Sequence, residues 1–116
     1  MNKTEKLLKA LANKNRLRII KMLEKKDMCV CEITEILGIK QPSVTAHLVK
    51  LKRGGIIAER QKGLYTEFFI KSRNPATDIW KLLSGILKNE PQVKKDLVKS
   101  RTIDRREICS AKRTCR

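Results

Sequence analysis

Gly38 separates two short segments whose apolar spacing leaves few folds open to this chain. In residues 30–37, Val30, Ile33, Ile36 and Leu37 fall at i, i+3, i+6 and i+7, one stripe of a helix, while Glu32 and Glu35 face out. A glycine just past such a stripe supplies the left-handed residue that ends a helix. Ile39 and Lys40 bridge the turn, and Gln41 is placed to cap a second helix. Pro42 takes the first position of that helix, where a missing N–H costs nothing. Val44, Leu48 and Leu51 then form its inward face. Two short helices about a tight glycine-bearing turn are the helix-turn-helix signature. Gly54 and Gly55 halt the second helix, and residues 56–60 and 64–70 are β-prone runs on either side of Gln61, Lys62 and Gly63. Those runs predict a hairpin. A hairpin straight after a helix-turn-helix is a wing.

The flanking segments supply the rest of a small helical core. Leu7, Leu8 and Leu11 share a stripe within residues 3–12, with Thr4 as a cap candidate. Leu17, Ile20 and Leu23 share another within residues 16–25, with Asn13 or Asn15 ahead of them as the cap. Residues 76–88 carry Ile79, Leu82, Leu83, Ile86 and Leu87. A one-domain core hardly needs that whole stripe, so part of it is expected to meet a second subunit. The predicted architecture is mainly α with a β-hairpin wing, a winged helix-turn-helix that forms a homodimer. Residues 1–90 make the DNA-binding and dimerisation domain, and residues 91–116 a basic C-terminal arm carrying Cys109 and Cys115. Past Pro91 the apolar residues are sparse, which fits either a marginal helix or a mobile arm.

The charge balance points to a polyanion. The chain of 116 residues carries 28 Lys and Arg against 12 Asp and Glu, a formal net charge of +16. The excess is spread, with +10 on residues 1–90 and +6 on residues 91–116. Such a field favours nucleic acid or an anionic surface. At 3% aromatic residues the chain lacks the stacking platforms of single-strand and RNA binders, so duplex DNA is the expected partner. No apolar run reaches the ~7–15 residues of a signal-peptide core or the ~20 of a membrane span. A cytoplasmic location without membrane association is therefore expected. There the four cysteines, Cys29, Cys31, Cys109 and Cys115, are better explained as ligands or redox groups than as structural bridges. No second histidine, nucleophile elbow, phosphate loop or framed carboxylate pair points to an enzyme.

Two sets of residues carry the expected chemistry. On the second helix of the motif, the side opposite Val44, Leu48 and Leu51 holds Ser43, Ala46, Lys50 and Arg53, with Thr45 to one side. Gln41 and Ser43, at its start, are placed to reach base edges. Lys50 and Arg53 suit phosphates, as do Arg60 and Lys62 on the wing, along the backbone or into the minor groove. His47 falls near the apolar boundary, as a packed or phosphate-touching residue. The second set is Cys29 and Cys31, at the mouth of the first helix of the motif. Soft thiolates select soft ions; three sulfurs suit trivalent arsenic or antimony, and four suit zinc or cadmium. On an ideal helix, positions i and i+2 lie about 200° apart. The pair therefore converges only if Cys29 stands outside the first turn or the turn deforms. Thiols at a helix start also have a lowered pKa, which keeps a redox role open.

Residues 10–19 (ALANKNRLRI), 29–33 (CVCEI) and 41–48 (QPSVTAHL), followed by the wing, resemble the ArsR/SmtB family of metal- and metalloid-sensing repressors. The likeness covers roughly residues 5–88. It implies a homodimer made by the first and last core helices, bound to operator DNA with no cofactor required, and released when an inducer binds. The Cys29 and Cys31 pair is similar to the thiol motif of the arsenite-sensing branch, where a third cysteine shortly follows; Thr34 and Glu35 stand there instead. A cadmium- and lead-sensing branch adds thiols from the N-terminus, yet no cysteine precedes Cys29. Cys109 and Cys115 are then the thiols left to complete a set. A zinc-sensing branch places Asp and His on the last core helix; Asp78 is present, but the sole histidine is His47. The expected function is a repressor released by arsenite or antimonite at Cys29, Cys31, Cys109 and Cys115. The alternatives are a thiol-based redox or sulfide sensor, a zinc-, cadmium- or lead-responsive repressor, and, outside this class, an architectural DNA-binding protein.

Overall fold

Those periodicities emerge as helices and short strands in a computed structural model, which describes residues 2–103. The helices are α1 (Asn2–Leu11), α2 (Lys14–Leu23), α3 (Val30–Leu37), α4 (Gln41–Arg53), α5 (Pro75–Leu87) and α6 (Pro91–Thr102). The strands are β1 (Met28–Cys29), β2 (Ile57–Lys62) and β3 (Tyr65–Ile70). Side chains fix two of the helix starts. Asn13 accepts the Arg16 N–H at 3.1 Å to begin α2, and Asn74 accepts those of Ala76 and Thr77 to begin α5. Gly38 ends α3 at φ 68°, the left-handed conformation its position in the sequence predicts.

Two expected caps fall elsewhere. Helix α1 already runs through Thr4, and the extended residue ahead of α4 is Lys40, whose carbonyl accepts from Ser43 and Val44 at 3.0 and 3.2 Å. Gln41 is thus the first helical residue and Pro42 the second. Proline is tolerated at either position because neither N–H has an intrahelical acceptor.

The core lies where α2, α3 and α4 meet the inner face of the sheet. Ile19, Ile20, Met22, Met28, Ile33, Val44, Leu48, Leu51, Ile56 and Ile57 are all but sealed from solvent. On α1 the buried residues are Leu7, Ala10 and Leu11, while Leu8 is exposed. Helix α1 packs on α4, and at the end of α4 a Cβ on Gly54 would stand 3.1 Å from the Ala10 Cβ, so only small residues fit there.

The three strands form an antiparallel sheet in the order β1-β3-β2. In the hairpin Ile57 faces Ile70 and Lys62 faces Tyr65, while on the other side of β3 Met28 faces Phe68 and Cys29 faces Glu67. The strand β1 has no counterpart in the sequence reading. It is two residues long, and its partner lies about forty positions away.

Helix α5 buries Ala76, Thr77 and Trp80 and leaves Leu82 and Ile86 79% and 72% exposed. The Trp80 Nε1–H donates to Glu24 at 2.8 Å, Ser84 donates to the same oxygen at 2.7 Å, and Lys21 pairs with Glu24 at 2.8 Å. Burial alone would raise the Glu24 pKa, but the hydrogen bonds from Lys21, Ser84 and Trp80 hold it below the ordinary value. The segment after Pro91, for which the sequence admits a helix or an arm, forms α6. It lies along α2 and α3 with Val93, Asp96 and Ser100 buried. Asp96 takes a two-pronged grip from Arg18, with Nε and Nη2 at 2.8 and 3.0 Å.

Candidate DNA interface and thiol site

Helix α4 turns Val44, Leu48 and Leu51 into the core, and the 3.6-residue period leaves Ser43, Thr45, Ala46, Lys50 and Arg53 exposed on the far side. Gln41, at the N-terminal end, is half-buried. Lys62 is exposed near the tip of the wing, 4.0 Å from Glu67, beside the turn at Gly63 and Leu64. This is the surface the sequence marks for DNA, brought onto one helix and one hairpin.

Two of the expected contact residues are engaged within the protein. Arg60 pairs with Asp27, stands 3.5 Å from Glu67, and lies over the Phe69 ring at 4.8 Å. His47 is half-buried, with Nδ1 3.3 Å from the Arg16 guanidinium. Arg16 also donates to the last carbonyls of α1, at Ala10 (2.8 Å) and Lys9 (3.0 Å). The sequence marks neither arginine as a brace; Arg16 sits in the expected second helix with nothing to signal that it reaches back across α1.

Burial, and then the charges of Arg16 and Lys50, hold the His47 pKa below its ordinary value. The folded protein therefore prefers the neutral ring. Stability conferred this way is complete above the unfolded pKa of ~6.5 and falls as pH drops below it. His47→Gln is expected to flatten the loss of stability below about pH 6.5, measured as urea midpoints between neutral and acid pH. Equal slopes in the two proteins would remove His47 from the account.

The cysteines occupy a joint. Cys29 closes β1 with extended backbone (φ −92°, ψ 168°), and α3 begins at the next residue. It therefore stands outside the first turn, the condition under which it and Cys31 can converge. Both are sealed from solvent and form a small cluster of their own, with Tyr65 of β3 packed against it. The Glu32 carboxylate reaches back to accept the Cys29 N–H at 3.0 Å, one arm of a capping box, and Lys26 lies 3.7 Å from its other oxygen. Cys29 is a thiol and Cys31 is in a disulfide. Cys109 and Cys115 lie outside the described residues. Among the described residues no three Cys, His, Asp or Glu side chains gather as a metal site. Against the expectation that none of the cysteines is bridged, Cys31 is thus withheld as a ligand. Only after reduction does the pair offer two thiolates, fewer than the three a trivalent metalloid takes.

Residues 13–59 match the family described as bacterial regulatory protein, arsR family. An uncharacterized HTH-type transcriptional regulator of Methanocaldococcus jannaschii is 38% identical over 69 residues, taking in 59% of this chain and 78% of the relative. The arsenical resistance operon repressor of Escherichia coli is 32% identical, over 60% of this chain and 61% of its own length. The cadmium resistance regulator CadC of Listeria innocua is 34% identical, over 55% of each. The chain thus spans little more than half the length of these two named regulators. Among solved structures, the homodimeric winged helix-turn-helix DNA-binding domain of a possible regulator from Mycobacterium bovis superposes with a TM-score of 0.66. That match has 26% identity and covers 75% of this chain and 80% of the other.

Proposed function

This chain belongs to the ArsR family of bacterial regulatory proteins, and from that premise we propose that it is a dimeric repressor released from its operator by chemistry at Cys29 and Cys31. The observation that carries this reading is the position of the pair. Cys29 is hydrogen-bonded into the sheet opposite Glu67 of the wing, and Cys31 lies in the first turn of α3, which packs on α4. A ligand that draws the two sulfurs together acts on the wing and on the reading helix at once. Regulation needs a coupling of only ~1–3 kcal/mol between the thiol site and DNA.

The inducer of choice is arsenite or antimonite. It is thiophilic, it takes three sulfurs, and the arsenical repressor of Escherichia coli is a relative. Cys29 and Cys31 would hold it, with Cys109 or Cys115 as the third ligand. The DNA-binding front is Gln41, Ser43, Thr45, Ala46, Lys50, Arg53 and Lys62. Arg60, half exposed on the wing, and half-buried His47 belong to the same surface and are braced by Asp27, Glu67 and Arg16. No helix among the described residues is long and apolar enough to cross a membrane.

A second reading has one observation in its favour. Cys31 is in a disulfide, so oxidation and reduction of that bond would move the same joint. A single experiment separates the two: binding of the protein to a duplex selected from random sequence, followed by anisotropy. The reduced protein is expected to lose affinity on adding arsenite by a factor of roughly 5–150, and Cys31→Ser to keep DNA while losing the response. Release by peroxide and not by arsenite selects the redox reading. If neither agent releases DNA, sensing through these thiols fails.

A further inference from the structure

A concave feature lies between α1 and the back half of α4, with neither Cys29 nor Cys31 in its lining. It is a cleft of about 430 Å³ with Ala10 in its floor and five cations around it: Lys6, Lys9, Arg16, Lys50 and Arg53. That volume falls in the range of small-ligand sites, ~300–1,000 Å³. No carboxylate lines it. Glu5 answers Lys9 at 2.8 Å from the exposed side of α1, and Arg16 is committed to the carbonyls of Lys9 and Ala10. Lys6, Lys50 and Arg53 have no ion pair or side-chain hydrogen bond among the described residues. Like charges gathered in a concavity repel one another, and a bound anion removes that cost.

We propose that this cleft is a phosphoryl-binding site, in which Lys6 of α1 joins Lys50 and Arg53 of α4 around one phosphate group. Several cations in a concave setting match an oxyanion with several acceptor oxygens and more than one charge. A guanidinium fork beside two ammonium groups suits phosphate better than a single carboxylate. The phosphate comes either from the DNA backbone or from a free phosphorylated small molecule. The first source extends the DNA-binding reading above by adding α1 to the contact surface; the second does not depend on it.

The sole histidine reports on the cleft. Arg16 and Lys50 border it and also lie against His47, where their charges depress its pKa. An anion in the cleft offsets those charges, so tripolyphosphate is expected to raise the His47 pKa measured by proton NMR. Chloride at equal ionic strength is expected to leave it unchanged, as is tripolyphosphate added to the Lys6→Gln/Arg53→Gln protein. In parallel, the salt dependence of duplex binding is compared for the unaltered protein and Lys6→Gln. A slope smaller by about 0.9 assigns the site to a backbone phosphate. An unchanged slope with a retained His47 response assigns it to a free phosphorylated molecule. An unchanged slope with no His47 response overturns the proposal. If the unaltered protein binds no duplex at low salt, the DNA-binding reading fails, and the His47 titration alone decides the cleft.

Discussion

Asp96→Ala is expected to destabilise the protein by roughly 3–5 kcal/mol, the usual cost of stranding one partner of a buried ion pair. Asp96 is 3% exposed and receives both Nε and Nη2 of Arg18, with Gln92 adding a third donor at 3.0 Å. The pair joins α2 to α6. Around it α6 offers little apolar surface, with Val93 its one buried hydrophobic residue. A helix of 12 residues with such a face does not persist on its own. The substitution should therefore release α6 as well as lower the midpoint of urea unfolding. Amide hydrogen exchange is expected to speed up across residues 91–102 before the rest of the chain. The double substitution Arg18→Met/Asp96→Leu removes both charges and should recover much of the loss. A loss below about 1 kcal/mol for Asp96→Ala would mark the pair as solvated in solution.

Leu82→Glu combined with Ile86→Glu is expected to give a folded monomer that binds a palindromic duplex about 10²–10⁴-fold more weakly. Both side chains stand largely in solvent, and Ile79, one turn earlier, extends the same stripe. The opposite face of α5 is fixed by Trp80 and its bond to Glu24. The substitutions thus leave the core untouched while placing two carboxylates on a face suited to a second copy. The loss arises because each half-site must then be bound independently, without the effective concentration that a joined pair provides. Sedimentation gives the mass, and far-UV circular dichroism the fold. A variant that stays dimeric would move the subunit contact off α5.

How much of this was legible in the sequence follows from how local each signal is. Val30, Ile33, Ile36 and Leu37 with Gly38 define α3 to the residue, because period and stop signal sit within nine positions. The hairpin is legible for the same reason. The strand β1 is not, since two residues carry no period and the pairing of Cys29 with Glu67 is a long-range event. Helix α6 is held by an ion pair to α2 more than by an apolar stripe, so hydrophobic spacing undersells it. At the site, the exposure of Ser43, Thr45, Ala46, Lys50 and Arg53 follows from the helical wheel. The roles of Arg60 and His47 do not, because Asp27, Glu67 and Arg16 come to them only through folding.

At residue 29 the chain changes from extended to helical in a single step, with the preceding peptide stitched to the arm of the hairpin. On the function proposed above, such a joint acts as a lever with its fulcrum at the sulfur. A tilt of a few degrees there swings the distal ends of two rigid bodies in concert, and the farther each reaches toward the double helix the larger its displacement. Tuning toward a new stimulus then requires altering only what grips the fulcrum, with both long arms inherited unchanged.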